Sequence, residues 1–189
     1  EVAHINKMKE ANVPFVIING HSQENDVSYI NIDFYSSTLL ATNYLIDKGF
    51  SDITYVAPLH INYIEIQQRY MGYSHVMSKN HLCEQLWDVG DIADNIRKFK
   101  AVVTNKSDTA HAVMKEAYKQ NIAIPKDFVL IAGNTESYTE FMFPPLSSVK
   151  IKAKEIGALA TNNLLSQLGG KKEFVIAKSE CCLEIRESC

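Results

Sequence analysis

Ala101-Val102-Val103-Thr104-Asn105, followed at once by Lys106-Ser107-Asp108 and then by Thr109-Ala110-His111-Ala112-Val113-Met114-Lys115-Glu116-Ala117, decides the fold. The first run is short and mostly β-branched, with no polar alternation, as expected of a strand buried on both faces. The last run carries Ala110, Val113, Met114 and Ala117 on one side at helical spacing, with Ser107 or Asp108 at its start and its end near Asn121. A strand, a polar turn and an amphipathic helix in that order form one half of a parallel βαβ unit.

The same unit recurs in both directions. Strands are expected at 15–19, 29–32, 53–57, 85–87, 101–105, 128–132, 148–151, 174–177 and 182–185. A helix over about 3–11 must stop before Pro14. A second, N-capped by Ser36, Ser37 or Thr38, turns Ala41, Tyr44 and Leu45 inward and ends at Gly49. A third spans about 64–79 with Ile66, Tyr70, Tyr73 and Met77 on one stripe. The last covers about 152–168, with Ile156, Leu159, Ala160 and Leu164 buried and Gly169-Gly170 as terminator. The chain therefore reads as α/β, with parallel sheets flanked by helices.

With 189 residues, 46% hydrophobic and 22% charged, the chain can bury roughly 70% of its unfolded surface without a metal or disulfide staple. The balance of 19 Lys+Arg against 22 Asp+Glu gives a net charge of −3. Its short basic runs, Lys98/Lys100, Lys150/Lys152/Lys154 and Lys171/Lys172, read as solvated faces rather than a nucleic-acid footprint. Cys83, Cys181, Cys182 and Cys189 form no C-x-x-C pair, and no His stands near them at zinc spacing, so reduced thiols in a cytoplasmic protein are expected. There is no signal peptide and no apolar run near the length of a membrane span. Asn105-Lys106-Ser107 matches a glycosylation acceptor but reads as strand-end polarity instead. The chain opens on Glu1-Val2 without a Met and reads as a piece of a longer protein.

No catalytic constellation emerges. The histidines at 4, 21, 60, 75, 81 and 111 form no H-E-x-x-H, and there is no G-x-S-x-G, G-x-G-x-x-G or Walker loop. Neither a cofactor nor a metal site is expected. Polar residues instead gather just past strand ends, where open α/β sheets form ligand crevices: Asn19-Gly20-His21, Lys106-Ser107-Asp108 and Asn134-Thr135-Glu136. Strand-end loops are also polar for solvation alone, with Ser107, Asp108 and Thr135 serving as caps. Arg69 beside an apolar stripe has two readings too, a stem snorkelling to water or a guanidinium aimed into a cleft.

The order of these pieces resembles the effector-binding core of the lactose-repressor/galactose-repressor (LacI/GalR) family of bacterial transcription regulators. The resemblance rests on Val13-Pro14-Phe15-Val16-Ile17-Ile18-Asn19, on Ile32-Asp33 before a Ser/Thr-rich helix start, and on Ala41-Thr42-x-x-Leu45-Ile46-x-x-Gly49-Phe50-x-x-Ile53. It continues through Arg69-x-x-Gly72-Tyr73, Ala101-Val102-Val103, Ile124-Pro125-Lys126-Asp127-Phe128, Pro144-Pro145-Leu146-Ser147-Ser148-Val149, Glu155-Ile156-Gly157 and Leu183-Glu184-Ile185-Arg186-Glu187-Ser188. Each segment alone is weak, but in sequence they cover nearly the whole chain.

The resemblance implies a periplasmic-binding-protein-like fold of two lobes holding a sugar or sugar-like effector, in a homodimer whose DNA contact belongs to a headpiece absent from this chain. It implies lobe crossings near 49–52, 136–143 and 169–173. A partial N-terminal lobe would then comprise 1–50 and 137–173, its first strands missing, and a C-terminal lobe 51–136 and 174–189. A lobe without its first strands leaves a sheet edge and apolar surface uncovered, which invites partner contacts.

By the same resemblance, Arg69 stands where family members hold effector hydroxyls or a carboxylate, and Ser36 heads the helix after Asp33. The departures are Lys106-Ser107 for the usual Asn-Asp, Asn134-Thr135 for aromatic-Asp, and Asp33-Phe34 for Asp-Asn. With acidic acceptors lost and a cation gained at Lys106, an anionic effector such as a sugar phosphate becomes an expectation beside a neutral sugar. Trp87 follows a strand where some members stack an aromatic on the ligand, and it reads equally as core. The candidate effector residues are thus Arg69, Lys106, Ser107, Thr135, Asn134, Phe34, Ser36 and Trp87. A solute-binding protein of a sugar transporter shares this fold, and an enzyme on a related α/β fold is the third reading.

Overall fold

The computed structural model describes residues 2–20, 24–60, 63–171 and 173–189; His21 and Lys172, named above, lie outside the described residues. The chain forms two compact units, one of residues 1–33 and 151–180, the other of 34–150 and 181–189.

The first unit holds α1 (Val2–Glu10), β1 (Val16–Ile18), β2 (Ser28–Ile32), α6 (Ala153–Leu168) and β8 (Ile176–Ser179). Its sheet has three strands in the order β1-β2-β8, all parallel. Alternation along β2 sends Tyr29 to the face where Ile5 of α1 packs with Val27, Phe15 and Ile17. Ser28 points the other way, to Gln167 of α6. On this narrow sheet α6 buries only Ile156 and Asn163, and Leu159, expected inside, is 46% exposed. Three strands offer too little surface to cover the whole apolar stripe of α6.

The second unit contains α2 (Phe34–Asp47), β3 (Ile53–Ala57), α3 (Ile64–Lys79), β4 (Gln85–Asp88), the short α4 (Ile92–Asn95), β5 (Ala101–Thr104), α5 (Ser107–Lys119), β6 (Val129–Ala132), β7 (Ser147–Ile151) and β9 (Cys181–Glu184). Six strands run in the order β4-β3-β5-β6-β7-β9, with the pairings from β4 to β7 parallel. Both faces are covered, which explains the unbroken apolar runs. Val56, Val102 and Leu130 point to α5 and α4, whereas Tyr55, Val103 and Ile131 point to α2 and α3.

These boundaries differ from the expected crossings, for identifiable reasons. α2 packs on α3 and so joins the second unit, and β8 pairs with β2 and so joins the first. Segment 137–150 stays in the second unit because β7 continues the ladder from β6. Helix α2 begins at Phe34, ahead of the serines expected to cap it; Ser37 Oγ instead donates back to the Phe34 carbonyl at 2.7 Å. Helix α4 was not foreseen, being too short to show a period.

The α2–α3 contact hinges on Gly72. A Cβ there would lie 2.2 Å from the Tyr35 carbonyl oxygen and 2.5 Å from Thr38 Oγ1. Gly72→Ala is expected to lower stability by about 1–3 kcal/mol through overpacking. In contrast, Gly157→Ala on α6, where a Cβ meets nothing within 4 Å, should be neutral or raise stability by about 0.5–1 kcal/mol. Thermal unfolding of the two variants checks this; equal melting temperatures would mean that the α2–α3 contact tolerates a methyl.

Candidate functional site

In a parallel sheet with crossover helices, the polypeptide leaves each strand at one edge, and polar strand-end loops collect there. In the second unit these loops follow β3, β4, β5 and β6, and the heads of α3 and α5 stand beside them. The candidate residues fall into two groups, with Trp87 apart from both.

The first group is built on α2 and α3. Arg69, on the second turn of α3, is only 4% exposed. Its guanidinium carbon lies 4.4 Å from the centroid of Phe34, the first residue of α2. Such a desolvated cation–π contact contributes about 2 kcal/mol. The Thr38 hydroxyl donates to the Arg69 carbonyl, tying the two helices at the position where Gly72 lets them approach. Burial makes the Arg69 cation easier to deprotonate, and Tyr55, Glu65 and Cys181 act in the opposite sense. Its Nε–H has no hydrogen-bond partner. Of the two readings of Arg69, the stem reaching open water is therefore excluded. Ser36 sits half-buried in the first turn of α2.

The second group joins the ends of β5 and β6. Asn134 Oδ1 accepts the Ser107 backbone N–H at 2.7 Å and faces Ser107 Oγ at 3.2 Å. Asn134 thus caps α5 from a neighbouring strand, replacing Lys106, which occupies the cap position without a side-chain bond. Asn134 Nδ2 donates to Glu136 at 2.9 Å, and the Tyr138 hydroxyl donates to Asp108 and lies 3.2 Å from Ser107 Oγ. Burial and the Asp108 contact raise the pKa of Tyr138. Gly133 makes the joint possible: a Cβ there would meet the Asn105 carbonyl oxygen at 2.5 Å. Thr135 Oγ1 lies 2.7 Å from Ser148 Oγ. The Lys106 side chain is 47% exposed and 3.7 Å from Asp108, a screened surface pair.

Trp87 lies on β4 opposite Val56 and packs into the core beneath α4 and α5, with Lys98 Nζ 5.4 Å from its ring centroid. It occupies the sheet face away from Arg69. Tyr55 and Tyr138 were not singled out in the sequence, and Thr38 was read there only as a possible helix cap. Only Tyr55 carried a signal there, a large aromatic in an otherwise β-branched strand. Among the described residues no cluster of His, Cys, Asp and Glu could hold a metal ion, and no helix is long and apolar enough to cross a membrane.

The sequence pattern of the periplasmic binding protein-like domain matches residues 42–189. The chain belongs to the periplasmic binding protein-like family. The HTH-type transcriptional regulator MalR of Staphylococcus xylosus is 26% identical over 180 residues, covering 88% of this chain and 52% of that protein. A LacI family transcriptional regulator from Enterococcus faecium, solved with bound ribose, superimposes with a TM-score of 0.87 at 18% identity, over 100% of this chain and 75% of that one. A sugar-binding transcriptional regulator of the LacI family from Escherichia coli, complexed with phosphate, gives 0.80 at 21% identity, over 100% and 73%. This periplasmic binding protein-like domain spans about half the length of the curated relatives it matches. These relatives bear the names of transcriptional regulators, in agreement with the sequence resemblance.

Asn134→Ala is expected to cost about 1–2 kcal/mol by uncapping α5. Urea unfolding monitored by circular dichroism reads this directly; an unchanged midpoint would leave the cap role without support.

Proposed function

We propose that this domain is the effector-sensing core of a LacI-type transcription regulator, with a sugar or sugar-like molecule as effector. The observation that carries this reading is Arg69: a guanidinium almost fully buried yet with its Nε–H unmatched, in a domain whose regulator relatives include proteins solved with ribose and with phosphate. A fixed planar cation suits bidentate recognition of hydroxyl, carboxylate or phosphate oxygens. Phe34 orients it. Ser36, Lys106, Ser107 and Thr135 are assigned to the rest of the effector surface, with Lys106 attracting an anionic effector such as a sugar phosphate. Asn134 contributes by fixing the Ser107 loop, and Trp87 by holding the sheet.

The two compact units are read as the two lobes of the clamp, with the bounds the structure gives them. Regulation follows if the effector binds one conformational state of the regulator more tightly than another. A homodimer in the cytoplasm, with DNA bound by a helix-turn-helix headpiece carried elsewhere in the longer protein, completes the proposal.

Arg69→Ala in the full-length protein should weaken whichever of D-ribose and D-ribose 5-phosphate binds the wild type by at least about thirtyfold, because the loss of a charged hydrogen-bonding partner is worth about 2 kcal/mol. Isothermal calorimetry giving wild-type affinity would remove Arg69 from the site. Lys106→Asn should weaken D-ribose 5-phosphate by about threefold at low salt and less at high salt, since an exposed charge is screened. A change of equal size at both salt concentrations argues against electrostatic attraction at this position.

A further inference from the structure

Among the described residues, five buried side-chain atoms lack a hydrogen-bond partner: Tyr29 OH, Asn31 Oδ1, Tyr55 OH, Arg69 Nε and Trp87 Nε1. Tyr29 and Asn31 belong to the first unit, and Trp87 lies on the other face of the second sheet. The remaining two belong together. Tyr55 on β3 points to the α2–α3 face, where its ring packs on Tyr70 and Tyr73 of α3, the residues next to Arg69 and one turn beyond it.

The phenol cannot turn away to find another partner. Its ring stacks on Tyr73, with centroids 5.3 Å apart, and leans on Tyr70 at 6.2 Å. Tyr73 is itself anchored, its hydroxyl donating to the Ile53 carbonyl and accepting from the Gln85 N–H, each at 2.8 Å. Tyr55 is 0% exposed, and burial holds its hydroxyl in the protonated form. Each of the two unmatched groups thus has a proton to donate, N–H and O–H. A buried donor left unmatched is destabilising, and two that share one region are best answered by a single acceptor. An oxygen without a proton of its own fits. A carboxylate or phosphate oxygen accepts from both, brings no donor of its own and answers the charge of Arg69 as well.

We propose that Tyr55 is a further effector-binding residue, whose hydroxyl and the Arg69 Nε–H together hold one oxygen of an anionic group, carboxylate or phosphate, on the effector. This rests on the effector-site reading of Arg69. To the screened attraction at Lys106, exposed and beside Asp108, it adds a dry position where a hydrogen-bonded charge counts for more.

The test is calorimetry on the full-length protein with D-ribose, D-ribonate and D-ribose 5-phosphate, alongside Tyr55→Phe and Arg69→Ala. The expected result is that one of the two anions binds wild type at least about tenfold more tightly than D-ribose. Which of the two binds distinguishes carboxylate from phosphate. Tyr55→Phe should lose about tenfold in affinity for that anion while its melting temperature stays level or rises, since only an unmatched hydroxyl is removed. A merely structural tyrosine would give the opposite split. Preference for D-ribose, or binding of neither anion, overturns the proposal. If Arg69→Ala binds like wild type, the effector-site reading itself falls; if Arg69→Ala is weak and Tyr55→Phe is not, the assignment of Tyr55 alone falls. Should Tyr55→Phe not fold, a crystal structure of the wild type with the preferred anion decides, by whether one oxygen lies within about 3.2 Å of both Arg69 Nε and Tyr55 OH.

Discussion

The close approach of α2 to α3 at Gly72 is the constraint on which the candidate site depends. Without a side chain at 72, the Tyr35 carbonyl and the Thr38 hydroxyl come into contact with the α3 backbone. Thr38 then reaches the carbonyl of Arg69 itself. One hydrogen bond and one missing methyl thus fix the height of Arg69 relative to the head of α2, and the Phe34 ring falls under the guanidinium as a consequence. Tyr55, on β3 on the same side of the sheet, stacks on Tyr73, one turn of α3 beyond Arg69. Protein interiors pack too densely for such a contact to shift continuously, so a change at Gly72 would be felt at Arg69.

The second joint is made differently. Asn134, Ser107, Tyr138 and Asp108 come from the ends of adjacent strands and are linked by side-chain hydrogen bonds rather than by helix packing. Gly133 brings the β6 end against the Asn105 backbone, and the amide of Asn134 then lands on the first N–H of α5. The substitution of Asn134 for the aromatic residue common at this position in the resembling family therefore has a mechanical reading. It ties two strand-end loops together.

Much of this was legible in the sequence, and the failures have physical causes. Continuous apolar runs at β3, β5 and β6 foretold strands buried on both faces, because β-branched residues without alternation have no solvent side to offer. Arg69 was legible as a candidate from its motif with Gly72 and Tyr73, but its burial was not, since a helical wheel does not reveal what the neighbouring helix brings to it. The compact units part from the expected lobe bounds because compactness is decided by which strand pairs with which. Nothing local in Ile176–Ser179 says that its ladder partner is β2. Leu159 was misplaced for a related reason, since periodicity reports an apolar stripe and not the width of the sheet beneath it. Asn134 read as a contact for ligand because a cap supplied from another strand has no sequence spacing to betray it.

The cap has one further consequence. A carboxylate at position 134 could accept from Ser107 as well, but it would titrate and would repel Glu136, to which the amide instead donates. With asparagine the joint carries no charge of its own, and the amide donates to Glu136. The cap on the first turn of α5 therefore does not depend on an ionisable side chain at position 134.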